Sequence, residues 1–169
     1  MLARSATRIL RLATTAWLLS ACSDGPQPIA YGRDACDYCR MQISDPRYGA
    51  ELVTTTGKVH TFDSIECLAA FYVQARTDGG ERGVWVSDVA RPGTLIPAGD
   101  AWFARRAGPG SPMGLGLAAY SADADTASLR ASNGSAPLRW RDVLAIVEQE
   151  GLQQGVPDAR RRAAGAHGH

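Results

Sequence analysis

Apolar and polar positions change their period from segment to segment along this chain, and each change marks an element. In "RYGAELVTTTGKVHTF" (47–62) the β-branched run Val53–Thr56 and the pair Val59 and Thr61 flank a Gly57-Lys58 turn, predicting a two-stranded hairpin. The period then lengthens. Ile65, Leu68, Ala69, Tyr72 and Val73 in "SIECLAAFYVQAR" recur at helical spacing, with Asp63 at the N-cap position and Glu66 three residues on. "TDGGERG" ends that helix and "VWVSDV" is a short strand.

A second passage repeats the order. "DAWFARR" and "LGLAAYS" are strand candidates, "SADADTASLRAS" a weak helix capped by Ser121, and "APLRW" a last strand. "RDVLAIVEQEGLQ" is a closing helix with Trp140, Val143, Leu144 and Val147 on one face. The pattern predicts an α+β chain of two small ββαβ-type units. The first occupies 36–92, and the second, with the closing helix, 93–155. The tail 156–169 is small, polar and expected to be disordered.

The N-terminus reads as a targeting segment. Arg4, Arg8 and Arg11 precede a short apolar core that ends in Leu19-Ser20-Ala21-Cys22, the pattern of a lipoprotein signal covering 1–21. Cys22 is then the expected lipidation site, and 22–35 a polar, Pro- and Gly-containing tether. Ser23 after the acylated Cys favours sorting to the outer membrane over the inner. The lipid anchor makes the membrane itself a partner. Losing 1–21 removes three of 18 basic residues and none of the 17 acidic ones, which turns a net charge of +1 into −2. No basic stripe survives, so nucleic acid is not an expected partner.

Sulfur carries the candidate chemistry. Cys36, Cys39 and Met41 crowd into "DACDYCRMQI" (34–43), Cys67 lies in the first helix, and Met113 sits in the Gly/Pro-rich "GPGSPMG". On an extended backbone residues two apart share a face, so Cys39 and Met41 would present thiol and thioether side by side with Arg40 facing away. Such a pair suits the soft ion Cu(I) better than zinc. Alternatives stay open. Two of Cys36, Cys39 and Cys67 can pair as a disulfide in an oxidising compartment. Cys36, Cys39, His60 and Cys67 form a possible zinc set, and Cys-x-x-Cys is a possible dithiol redox pair. His60 lies within a predicted strand, where a histidine more often serves structure, and His167 and His169 form only a loose pair in the tail. "GSPMG" is neither a nucleophile elbow nor a phosphate loop, and no acid/base carboxylate pair stands out. The expectation is a binding protein, not an enzyme.

The ordered set of lipobox, "CDYCRMQI", "HTFDSIECL" and "SPMGLGLAAYS" resembles the nitrous oxide reductase accessory lipoproteins (NosL), over roughly residues 34–131. The resemblance implies a fold similar to organomercurial lyase and a periplasm-facing lipoprotein that binds Cu(I). It implies delivery of copper to the copper-sulfide centre of nitrous oxide reductase, with a membrane transporter-type maturation complex as a further partner. By the same resemblance Cys39 and Met41 match the family's copper motif and Met113 an additional sulfur; Cys36, His60 and Cys67 are lesser candidates on the reading of the residues themselves. Arg40 stands where the family usually has glycine, and a glycine-only backbone angle there would overturn the extended geometry. Ser64 stands where a second Asp is common. The rival readings are an envelope scaffold lipoprotein stabilised by a disulfide or zinc, and a thiol-disulfide oxidoreductase.

Overall fold

The hairpin predicted around Gly57 forms β1 (Ala50–Thr54) and β2 (Val59–Phe62), and it nucleates a four-stranded antiparallel sheet in the computed structural model, which describes residues 25–75, 80–105 and 110–150. Gly57 takes a φ of +85°, the left-handed geometry that the Thr54–Lys58 turn needs and glycine adopts freely. Register pairs Ala50 with Phe62 and Leu52 with His60. β3 (Glu81–Ser87) lies on the other side of β1, and β4 (Leu95–Pro97) completes the order β2-β1-β3-β4.

One face of this sheet, with Ala50, Leu52, Phe62 and Val86, is buried under α1 (Ile65–Ala75). Ile65, Leu68 and Ala69 fill that core as their spacing predicts, and the Phe62 and Phe71 rings lie 5.2 Å apart. A second sheet pairs β5 (Trp102–Arg105) with β6 (Leu117–Tyr120) and is joined to the first by a parallel bridge between Asp88 and Ala119. α2 (Thr126–Asn133) and α3 (Trp140–Glu150) follow. α3 buries Val143 and Val147, and Trp140 meets Tyr72 of α1 edge-on at 5.9 Å. The mixed α+β reading thus holds, with two small sheets and three helices among the described residues.

Four local expectations need correction. The N-cap of α1 is Ser64, whose Oγ accepts the Cys67 N–H at 3.1 Å, not Asp63. The N-cap of α2 is Asp125, which accepts the Ala127 N–H at 3.0 Å, not Ser121. "APLRW" shrinks to a single bridge, in which Leu138 and Phe103 exchange backbone hydrogen bonds of 2.7 and 2.9 Å. Pro137 has no N–H to extend that ladder, and α3 begins three residues after it, at Trp140. Finally, part of the expected tether is fold: Ile29 is buried, Gln27 N–H donates to both oxygens of the buried Glu51 (2.9 and 3.1 Å), and Tyr31 meets Ser87 at 3.2 Å. Cys22, His167 and His169 lie outside the described residues.

Candidate metal site

The sulfur-rich segment folds as a tight turn, not as the extended strand its spacing suggested. Ala35 bridges Gln42, Cys36 N–H reaches Met41 O at 2.8 Å, and Arg40 N–H reaches Cys36 O at 3.0 Å. Closing this loop sets Arg40 at φ +67°, a left-handed angle that glycine adopts without strain. Cys39 and Met41 therefore do not share one face of a strand. The turn instead brings Cys39 back toward Cys36.

Neighbouring elements fix its position. Asp37 N–H donates to Thr61 O of β2 at 2.9 Å, and Gln74 of α1 donates to Tyr38 Oη at 2.9 Å. His60 Nδ1 donates to Asp37 Oδ2 at 2.7 Å while its ring packs on Phe71, 4.8 Å between centroids. Arg40 reaches the other Asp37 oxygen at 3.4 Å. His60 is thereby committed to holding the turn and is not among the clustered donors.

The turn faces the start of α1. Because Ser64 caps that helix, the Asp63 carboxylate is released from capping and joins the thiols. The ligand atoms of Cys36, Cys39, Asp63 and Cys67 all lie within 4.8 Å of one another. Cys39 Sγ donates to Asp63 Oδ2 at 3.4 Å, and Asp63 Oδ1 is buried with no hydrogen-bond partner. Cys36, Cys67 and Asp63 are buried, whereas Cys39 is partly open. An ion with metal–sulfur bonds of about 2.3 Å holds two donors no more than about 4.6 Å apart. Four donors around one ion sit about 3.8 Å apart in a tetrahedron, so pairs near the 4.8 Å limit would close by up to about 1 Å on binding.

The site already stabilises one thiolate. The Cys67 thiol donates to Cys36 and, with the Asp63 and Cys39 backbone N–H groups, outweighs burial and brings Cys36 down to about 7. Burial, reinforced by neighbouring Cys36, pushes Cys39 up to about 12, with the Met41 N–H opposing. Cys67 is pushed up chiefly because it is the donor to Cys36. The first turn of α1 adds the positive end of a helix dipole to this negative cluster.

The two methionines stand differently. Met41 is 46% exposed, and Met113 is partly buried against the core. Ser111 ties the Met113 loop to α1: its hydroxyl donates to Glu66 Oε1 in a short hydrogen bond and accepts Gly116 N–H at 3.0 Å. Glu66 Oε1 also takes Leu117 N–H at 3.2 Å, while Oε2 has no partner. The loop is thus pinned to the helix end that carries Asp63 and Cys67. Of the sequence candidates, the structure brings Cys39 together with Cys36 and Cys67. Asp63 was missed because its position also fits a cap; the adjacent Ser64, an equally good cap, was the available signal.

A family model described as NosL matches residues 29–146. The crystal structure of the copper chaperone NosL from Shewanella denitrificans aligns with a TM-score of 0.57 at 25% identity, covering 69% of this chain and 96% of that one. No curated protein matches the chain.

Proposed function

The chain belongs to the NosL family, and on that premise we propose that it is a carrier of Cu(I) with no catalytic turnover. The observation that carries this reading is the convergence of three thiols and one carboxylate at the end of a sheet, beside a partly open Cys39. Thiolates are the donors a soft monovalent copper ion prefers. Cys36 supplies a thiolate near neutral pH, and copper replaces the remaining thiol protons as it binds. Met41, two residues after Cys39, and Met113, in the loop that Ser111 ties to Glu66, would add neutral, weaker donors suited to being displaced during transfer. Together these properties describe a site that binds and hands on.

The rest of the reading places the carrier in a cell. Leu-Ser-Ala-Cys before position 23 supports acylation at Cys22 and a periplasm-facing, outer-membrane lipoprotein. Family membership supports nitrous oxide reductase as the recipient, for its copper-sulfide centre, with a membrane transporter-type complex taking part. One observation favours a second reading. Three thiols and a carboxylate also make a tetrahedral set acceptable to zinc, which would suit a zinc-stabilised envelope scaffold.

Anaerobic titration of the reduced protein against a chromogenic Cu(I) chelator separates the two. The carrier reading expects about one Cu(I) per chain, held at least about a hundredfold more tightly than zinc. Cys39→Ser should lower Cu(I) affinity at least about a hundredfold, roughly 2.8 kcal/mol. Zinc bound as tightly as Cu(I), or an unchanged Cys39→Ser protein, would overturn it.

A further inference from the structure

The two ends of the four-stranded sheet differ. Asp63 follows Phe62, the last residue of β2, which pairs with Ala50, so the thiol cluster sits at the Ala50–Phe62 end. The β1–β2 turn lies at the other end. Lys58 and Asp63 are separated by five residues of extended chain, about 17 Å.

The leading segment gives this axis a direction. Glu51 pairs with Trp85, and Ser87 lies two residues further along β3, so all three face the side opposite α1. The chain crosses that side: Tyr31 bonds Ser87 next to Gly49, while Gln27, four residues earlier, is held by Glu51. From Tyr31 back to Gln27 the points of contact thus move along β1 from Gly49 to Glu51, toward its Thr54 end. That shift is toward the turn and away from the thiols, and the orientation proposed from it has the preceding residues continue the same way. Cys22 is five residues before Gln27, a reach of at most about 18 Å. The hairpin tip lies about 10–17 Å beyond Glu51 in the same direction.

That tip has a surface suited to headgroups. Val59 is 37% exposed, and with Met41 it is one of two exposed large apolar residues among those described. Lys58, the only lysine of the chain, is exposed beside it. Arg82 of β3 is exposed too and reaches Thr55 O at 3.4 Å. Glu81, exposed and paired with Thr54 at the same end, accepts the Tyr72 hydroxyl at 2.8 Å; an apolar side chain beside two cations fits the boundary of an anionic bilayer.

We propose that the β1–β2 tip, with Lys58, Val59 and Arg82, rests on the lipid headgroups when the chain is anchored, so that the thiol cluster points away from the bilayer into the aqueous compartment. The inference rests on Cys22 being the acylated residue. An outward-facing site is open to a water-soluble acceptor without detachment of the anchor.

The test uses membrane-extracted, acylated protein in nanodiscs of phosphatidylethanolamine and phosphatidylglycerol doped with a gadolinium-chelate lipid, read by amide proton relaxation. Gly57, Lys58, Val59 and Arg82 should lose most of their signal, whereas Cys39, Asp63, Glu66 and Cys67 keep theirs. Lys58→Glu combined with Val59→Ser should reduce the effect at the tip at least twofold without changing Cu(I) affinity. Signal loss at Asp63–Cys67, loss spread evenly, or an unaffected double variant would each overturn the orientation while leaving the anchor. Intact mass showing no lipid would remove the anchor and the orientation together.

Discussion

Arg40 and Glu51 both occupy places that a different side chain would fill at lower free-energy cost. A non-glycine residue at φ +67° bears steric strain on the order of 1–2 kcal/mol, and the 3.4 Å contact with Asp37 is a partly exposed ion pair worth little. The strained angle is what folds Cys39 back onto Cys36. Residue spacing alone could not reveal that, because Cys-x-Met reads equally well as strand or turn until the angle at the middle residue is known. Glu51 raises a charge question instead. Burial pushes its carboxyl above the usual range, with the Gln27 N–H opposing. A carboxyl whose folded pKa is raised contributes stability that is complete below its unfolded value, about 4.3, and is lost as pH rises through the folded one. Glu51→Gln removes the charge and keeps an acceptor for Gln27. Relative to wild type, the variant should gain in thermal midpoint between pH 4 and pH 7. A gap that is flat or shrinks over that interval would mean that burial of the carboxylate is not the dominant cost.

At the scale of elements, the site forms where a hairpin turn meets a helix start. The helix start was legible from Asp63 and Glu66 ahead of an apolar period, whereas Cys-x-x-Cys-x-Met marked the sulfurs but read as extended chain, not as a turn. The off-by-one capping assignment concealed the carboxylate. Asp63 and Ser64 are both good caps, and only the end of β2 at Phe62 decides that Ser64 takes the Cys67 amide. The Met113 loop shows the same limit. Its Gly/Pro content announced a shaped loop, but Ser111 pinning it to Glu66 is a contact across 45 residues that no local pattern encodes. That pin fixes Ser111, two residues before Met113, at the first turn of α1, and the contribution of Met113 is measurable. Met113→Leu is nearly isosteric, so packing should suffer little. If the thioether is a weak, displaceable donor, the change should lower Cu(I) affinity by about ten- to a hundredfold, roughly 1.4–2.8 kcal/mol, with the thermal midpoint of the metal-free protein almost unchanged. Unchanged affinity removes Met113 from the site and leaves the thiols as the whole of it.

For the whole molecule, the α+β character was legible because the long-period and short-period segments alternate cleanly. The exceptions have physical causes. β4 was missed because it is three residues long and ends in Pro97, tolerable at a sheet edge but not a strand signal. The last strand of the second unit was overestimated because Pro137 and the early start of α3 leave only one bridge. What the assembled molecule adds is a division of labour: a buried side of the site that supplies Cys36 and Cys67, and an open edge with Cys39 and the exposed Met41. The proposed carrier would use both: burial would retain the ion, and the partly open Cys39 would give an acceptor somewhere to begin ligand exchange. The proposed delivery then has a cellular consequence that mere scaffolding does not. In a strain whose only copy carries Cys39→Ser, nitrous oxide reductase should still be made and exported but should be poor in its catalytic copper-sulfide centre, most clearly when copper is scarce. Copper content of the purified reductase measures this directly, and ample copper should restore part of the loss by bypassing the carrier. A scaffold needs the fold but not an open thiol. Full loading in the Cys39→Ser strain under scarcity, with the variant protein present at normal level, would therefore reject copper delivery and promote the scaffold.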